Sequence, residues 1–292
     1  MSTLSHRIVS GRLHVIIRRF QDHPGKKDLI FLHGFLGAGK QFEHLFDDLK
    51  QIINPVTFDF YPGDGEDPTE ADSSLFSAEA LATALHDGLT SSVVQPKPLI
   101  YGYSMGGRLA LSWASRYPDE SDGILLESSS CGIDSESERK ERRASDAARA
   151  QKIMHDYPSF LKEWENLPLF TSSVSGRDKS TLHISQLHQI QQNQEPRIMA
   201  QWLYGFGSGT MPCVWHHLNE IDAPICLITG ALDPKFQDLA AKIYAQRLFH
   251  PKSNSPEYTF HANVSGAGHR VHIDCPEACR HIIQAFCSFH GR

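Results

Sequence analysis

Ser104, Asp233 and His269 occur in an order, and in local sequences, that can turn a serine hydroxyl into a base or nucleophile. At neutral pH serine is neither, so it needs an imidazole to take its proton and a carboxylate to orient that imidazole. Ser104 stands in Gly102-Tyr103-Ser104-Met105-Gly106, directly after the apolar run Pro98-Leu99-Ile100-Tyr101 and directly before a stretch that reads as helix. Strand, sharp turn and helix in that succession make a nucleophile elbow. Glycines at 102 and 106 suit it, because a side chain at either position would crowd the neighbouring strand or helix. The serine falls at a helix N-terminus, so the amide of Met105 points toward any oxyanion forming beside it. Asp233 closes Gly230-Ala231-Leu232-Asp233 and His269 closes Gly266-Ala267-Gly268-His269, each just past a strand-like run. Both therefore belong to loops at the C-terminal edge of a sheet, where open α/β folds bind ligands. Glu127, also just past an apolar run, is the alternative acid.

A second oxyanion donor is expected from the loop after an earlier strand, Leu32-His33-Gly34-Phe35, and the amide of Phe35 is the candidate. His33 is read as a support for that loop. The same loop imitates a phosphate-binding P-loop in Gly34-Phe35-Leu36-Gly37-Ala38-Gly39-Lys40, but Gln41 stands where a Ser or Thr would ligate magnesium. Lys40 is therefore expected in solvent. Arg108 lies in the first turns of the elbow helix, where a cation opposes the helix dipole. Either a structural ion pair or a substrate carboxylate beside the serine accounts for it, since guanidinium pairs carboxylates bidentately.

Alternating elements must position these residues. Residues 7–17 read as a hairpin, and strands are expected at 28–32, 56–59, 98–101, 123–127, 224–230 and 258–260. Phe42, Leu45, Phe46 and Leu49, and later Leu81, Leu85 and Leu89, recur at helical spacing, and a last helix spans about 276–289. The alternation specifies an α/β fold with a mostly parallel sheet and helices on both faces. Between residues 131 and 215 the rhythm breaks: no strand is apparent, Ser135-Glu136-Ser137-Glu138 reads as a capping box opening a long charged helix, and prolines punctuate further helices. We expect one core of residues 1–130 and 216–292, with 131–215 forming a helical cap.

The chain has 292 residues, 34 acidic against 28 basic, for a net charge of −6, which argues against a nucleic-acid or membrane-surface binder. An anionic ligand must then meet a local cluster of arginines. No apolar stretch reaches the roughly 18–20 residues of a membrane span, and the first residues lack the apolar segment of a signal peptide, so a cytoplasmic location is expected. Six cysteines in so long a chain do not make a disulfide scaffold. His269-Arg270-Val271-His272 has no carboxylate or cysteine partner at ligand spacing, so neither metal nor other cofactor is expected. Asn263-Val264-Ser265 matches a glycosylation sequon, which matters only on secretion.

The segment Gly102 to Ala110, with arginine at 108, resembles the elbow of the 2-succinyl-6-hydroxy-2,4-cyclohexadiene-1-carboxylate synthases of the menaquinone pathway, an α/β-hydrolase family. The likeness extends through Leu32-His33-Gly34-Phe35-Leu36-Gly37, Glu138 to Arg142 with Ser145-Asp146, Trp164 before Pro168 and Phe170, Asp233-Pro234-Lys235-Phe236, and Gly268-His269. It implies an α/β-hydrolase fold and a cofactor-free lyase that eliminates pyruvate from a succinyl-bearing cyclohexene. Ser104, activated by His269 and Asp233, would remove the proton alpha to the succinyl ketone while the oxyanion donors hold the enolate. The implied partner is a small polycarboxylate, with Arg108 and Arg142 taking carboxylates and Tyr103 and Trp164 lining the pocket, in a monomer or small homo-oligomer. A serine carboxylesterase or carbon–carbon bond hydrolase would use the same three residues. The chain departs from the family at Gln191, where a further cap arginine is expected and for which Arg197 is the candidate substitute, and at Pro62-Gly63-Asp64-Gly65-Glu66, where many relatives have histidine and serine.

Overall fold

The computed structural model describes residues 3–66, 73–171, 178–249 and 258–290. Its strands are β1 (Leu4–Ser10), β2 (Leu13–Arg19), β3 (Lys27–Leu32), β4 (Ile53–Pro62), β5 (Leu99–Tyr103), β6 (Gly123–Glu127), β7 (Ile225–Gly230) and β8 (Thr259–Val264). They form one sheet in the order β1-β2-β4-β3-β5-β6-β7-β8. The β1–β2 and β2–β4 pairings are antiparallel and the rest parallel. Because strand side chains alternate between faces, Leu29 and Phe31 of β3, Leu99 and Tyr101 of β5 and Leu125 of β6 enter one core cluster. Ile30, Leu32, Ile100, Ile124 and Leu126 enter the cluster on the other face.

Helices cover both faces. The first is short, α1 (Phe46–Leu49), and α2 (Ala78–Leu89) and α3 (Met105–Ala114) follow. Through Leu81, Leu85 and Leu109 the latter two pack on the β3 face that bears Ile30. The long insertion after β6 holds α4 (Glu136–His155), α5 (Tyr157–Glu165), α6 (Pro168–Thr171), α7 (Asp178–Gln192) and α8 (Pro196–Phe206). After the sheet resumes come α9 (Pro234–Arg247), α10 (Val271–Asp274) and α11 (Pro276–His290), the last burying Ile283 and Phe286 on the Phe31 face together with Phe46 and Leu49 of α1. No described helix is long and apolar enough to cross a membrane.

Three local expectations need adjusting. Residues Gly39–Leu45 form a 3-10 helix that precedes α1; the spacing of Phe42, Leu45, Phe46 and Leu49 suits three residues per turn as well as 3.6. β4 is ten residues long and runs through Asn54-Pro55. The Asn54 side-chain amide donates to the His23 and Lys26 carbonyls, and the Pro55 carbonyl accepts from Phe20, so a breaker pair is absorbed into the sheet. β8 continues to Val264, placing Asn263 inside an edge strand with its amide on Gln237.

Within the insertion, α4 packs along α8, and α7 lies against residues 39–45 and against α10. The Ser135 hydroxyl caps α4 by accepting from the Glu138 amide at 3.4 Å, and it also meets the Ser137 hydroxyl at 2.8 Å. The helices thereby stand over the sheet edge on which the β5, β7 and β8 loops open.

Candidate active site

Ser104 sits between β5 and α3 with φ 51° and ψ −106°, a backbone region that non-glycine residues rarely occupy. Its surroundings hold it there. The Ser104 amide donates to the Glu127 carbonyl at 2.8 Å, and its own carbonyl accepts from the Ser129 hydroxyl at 2.9 Å and the Arg108 amide at 3.1 Å. The helix is pressed so hard against β3 that a methyl group on Gly106 would stand 2.1 Å from the Leu32 carbonyl oxygen.

The loops after β7 and β8 bring the other two residues to the serine. Asp233 caps α9, accepting from the Phe236 amide at 3.4 Å. Its other oxygen lies 2.7 Å from His269 Nδ1, and His269 Nε2 lies 3.1 Å from Ser104 Oγ. These contacts are satisfied when Nδ1 carries its proton toward Asp233 and Nε2 accepts from the serine hydroxyl. Burial lowers the pKa of the imidazole, against the opposing pull of the Asp233 carboxylate. An imidazole held neutral and hydrogen-bonded in this way can take the hydroxyl proton. The rings of Phe236, Tyr103 and Phe170 surround it at 4.5, 5.6 and 5.8 Å.

Glu127, the alternative acid, does not reach His269. It closes instead on the fully buried His272, whose backbone amide it also accepts, and on the Tyr101 hydroxyl.

Ser104, His269, Phe35, Met105, Tyr103, Trp164, Arg108 and Arg142 all line one partly open cavity of about 130 Å³. Among the described residues, neither the Phe35 nor the Met105 amide donates to a backbone acceptor. Arg108 is half-buried beside the serine, donating to the Phe206 carbonyl and lying against Met211 sulfur, both at 3.2 Å, with its guanidinium 5.4 Å from the Phe206 ring centre. Burial, reinforced by the nearby Arg142 cation, pulls its pKa down to about 10. The structural ion pair considered for Arg108 is absent: among the described residues no carboxylate lies within 4 Å of its guanidinium. Arg142, one third exposed, is different, sharing Asp146 with Arg149 at 2.8 and 3.2 Å.

Gln191 occupies the cavity wall and donates to Glu165 at 2.8 Å. Arg197 is exposed on α8 and does not line the cavity, so it does not stand in for an arginine at 191. Asp64 and Glu66 pair with Arg7 and Arg12, tying the turn after β4 to the first hairpin away from the cavity. His33 supports its loop through Gly34, with Nδ1 2.8 Å from that carbonyl. In the loop that imitates a P-loop, the Gly39 amide is taken by Asp59 at 2.7 Å and Lys40 is exposed.

Sequence reasoning missed several residues of the cavity. Ser129, Ser130, Lys235 and Phe236 line it, and so does Arg270, whose guanidinium is paired bidentately with Glu165. The adjacency of Arg270 to His269 was a usable signal for that residue; Glu165, 105 positions away, offered none.

A strained serine between a parallel strand and a helix, with its acid and histidine in the loops after β7 and β8, defines a class, and the chain matches that class along most of its length. It belongs to the alpha/beta hydrolase family, whose model matches residues 29–282. Within that family it is similar to the 2-succinyl-6-hydroxy-2,4-cyclohexadiene-1-carboxylate synthases. A Bacillus subtilis protein provisionally given that name is 30% identical over 88% of this chain and 89% of its own length. The enzyme so named from Pectobacterium atrosepticum is 27% identical over 89% of this chain and 93% of its own. The solved structure of MenH from S. aureus is 29% identical, superposes with a TM-score of 0.81, and covers 94% of this chain and 98% of that one.

Proposed function

We propose that this protein is a cofactor-free lyase that eliminates pyruvate from 2-succinyl-5-enolpyruvyl-6-hydroxy-3-cyclohexene-1-carboxylate to give 2-succinyl-6-hydroxy-2,4-cyclohexadiene-1-carboxylate. The observation that carries this reading is one cavity shared by a histidine-bonded Ser104 and by Arg108, a guanidinium that, among the described residues, makes no ion pair with a carboxylate, Asp146 acting on it only from beyond ion-pair distance. A serine acting on neutral esters has no use for that cation. A polycarboxylate substrate does, since it supplies the anion.

In the proposed reaction Asp233 orients His269, His269 withdraws the Ser104 proton, and the serine oxygen removes the ring proton alpha to the succinyl ketone. The ketone oxygen becomes an enolate oxygen, which the amides of Phe35 and Met105 would hold, each such donor typically contributing about 3–4 kcal/mol to transition-state stabilisation. The electron pair then moves through the ring double bond and expels the enolpyruvyl oxygen from the far carbon. The ring gains its second double bond, and the departing enolate takes up at its methylene carbon the proton held on His269 and becomes pyruvate. Arg108 and Arg142 bind carboxylates, while Tyr103 and Trp164 form the apolar walls. The helical cap, residues 131–215, excludes water from the enolate.

The test is an ultraviolet assay for diene formation coupled to measurement of pyruvate, run on wild type and Ser104→Ala. The expected result is equimolar diene and pyruvate from wild type, with a rate loss of three orders of magnitude or so in the variant. Rapid turnover of a p-nitrophenyl ester through an acyl-serine, with no pyruvate released, would instead favour the hydrolase.

A further inference from the structure

The catalytic cavity opens into a second and larger one. This groove, about 930 Å³ in volume, runs between α9 and the first turns of α4, and it shares Ser130, Arg142, Ser208, Lys235 and Phe236 with the catalytic cavity. The shared residues form a mouth beside the reacting groups, since the Phe236 ring stands 4.5 Å from the His269 ring. A cavity of about 600 Å³ between α5 and α7 shares only Gln191 with the catalytic one, and that side chain is held by Glu165.

One wall of the groove is the face of α9 that carries Lys235, Leu239, Lys242 and Gln246, residues at helical spacing. Lys235 stands in the first turn of α9, where a cation opposes the helix dipole. Lys242 lies two turns further out, and both side chains are exposed. Among the described residues neither ammonium makes an ion pair, not even Lys242 with Asp238 one turn before it. The acids that line the groove, Asp134 and Glu138, belong to the opposite wall, with His216 3.5 Å from Asp134.

We propose that this groove is the route by which anions pass between solvent and the catalytic cavity, and that Lys242, with Lys235, draws a polycarboxylate inward along the α9 wall. The proposal rests on the polycarboxylate substrate of the proposed function.

The reason is electrostatic. The chain has a net charge of −6, and the proposed substrate bears carboxylates on its ring, its succinyl arm and its enolpyruvyl arm, so the molecule as a whole repels it. Capture then depends on a local field of opposite sign, which a groove with apolar walls such as Trp215 and Leu239 concentrates. Seven residues of helix separate Lys235 from Lys242 by about 10 Å, close to the Debye length of about 8 Å at physiological salt. A carboxylate leaving the field of the outer ammonium therefore enters that of the inner one. Lysine suits this task, because a hydrated ammonium on a flexible stem attracts a carboxylate without the bidentate grip of a guanidinium. The grip belongs to Arg108 and Arg142, further in.

The experiment measures kcat/KM for pyruvate release against ionic strength in wild type, Lys242→Gln and Lys242→Glu. Lys162→Gln, at an exposed lysine of the cavity that meets Gln191, is the control. Lys235 is left in place because it also lines the catalytic cavity. In wild type kcat/KM is expected to fall as salt is added, opposite to what the net charge alone dictates. At low salt it is expected to be about threefold lower in Lys242→Gln and about tenfold lower in Lys242→Glu, with kcat and Tm close to wild type. These differences should vanish near 1 M salt, where the Debye length is about 3 Å. A wild-type kcat/KM in Lys242→Glu, a loss that persists at high salt, or an equal loss in Lys162→Gln overturns the inference.

A second arm does not depend on the natural substrate. It compares the rates at which two fluorophosphonates, one with a neutral alkyl chain and one with a dicarboxylate chain, label Ser104. Lys242→Glu should slow the dicarboxylate probe about tenfold and leave the alkyl probe unchanged. Equal slowing of both probes, or of neither, overturns the inference. A wild type that releases no pyruvate defeats the proposed reaction, and the labelling arm then decides the groove alone.

Discussion

Glu127 and His272 form a pair with no solvent access, the imidazole Nδ1 lying 2.9 Å from both carboxylate oxygens, and this contact separates Glu127 from the chemistry of His269. Burial alone would raise the pKa of that carboxyl, but His272 and the accompanying hydrogen bonds hold it below its ordinary value. The pair fastens β6 to α10 beneath the reacting residues.

The two acids should therefore fail in different ways. Glu127→Gln removes one of the two carboxylate oxygens that His272 and Tyr101 share in a fully buried site and should cost about 1–3 kcal/mol of unfolding free energy. Asp233→Asn keeps a good helix cap, so its stability should change by less than about 1 kcal/mol, while kcat falls on the order of 10⁴-fold through the wrong imidazole tautomer. Urea denaturation and the pyruvate assay check the pair. An Asp233→Asn variant with near-normal kcat would return the orienting role to another residue.

Arg108 sets function against stability. Arg108 is half-buried, with a carbonyl and a thioether for its nearest partners and Asp146 only as a more distant counter-charge, and a cation so placed opposes folding. Arg108→Met should raise Tm by a few degrees, equivalent to about 1–2 kcal/mol in a chain of this size, and lower kcat/KM by about 2–4 kcal/mol. Arg142→Ala should give a comparable kinetic loss without the gain in Tm, because Arg142 is already paired with Asp146. If Arg108→Met loses stability and keeps its kinetics, the arginine is structural.

The parts of the molecule that were legible in the sequence are those specified by neighbours along the chain. Alternation at Leu29, Ile30, Phe31 and Leu32 assigns side chains to two faces, and those residues do divide between the two core clusters. The elbow is equally local, since the steric demands on Ser104 and its glycines fall within five positions. The start of β4 was hidden because Asn54-Pro55 has breaker chemistry that only tertiary hydrogen bonds neutralise. The partners of Glu127 and Arg270 lie 145 and 105 positions away. No periodicity carries such a distance, so Glu127, a carboxylate past a strand, read only as an alternative acid for His269.

The close approach at Gly106 yields a structural prediction. The Leu32 carbonyl belongs to the central strand β3 and cannot retreat without breaking the sheet. Gly106→Ala should therefore move α3 or fail to fold, with a loss of several kcal/mol as expected for overpacking against backbone. Serine labelling should fall in parallel with stability, whereas full labelling of a stable Gly106→Ala protein would contradict the stated packing.

His44 gives the fold a calculable pH dependence. Its Nε2 meets the His272 carbonyl at 2.7 Å and its ring stacks on His183 at 4.1 Å, and burial brings its pKa from 6.5 down to about 4. In that window the unfolded chain binds a proton that the native protein refuses, so stability is fully present above pH 6.5 and falls as the pH drops toward 4. A shift of this size corresponds to about 3 kcal/mol. His269, lowered by burial in the same direction, adds to the slope. His44→Gln keeps a side-chain N–H for the His272 carbonyl and removes the titration. Between pH 7 and 4.5 the unfolding free energy of His44→Gln should therefore fall by about 2–3 kcal/mol less than that of wild type, as measured by urea denaturation at each pH. Equal losses in the two proteins would mean that His44 accepts its proton in the native state near its ordinary pKa.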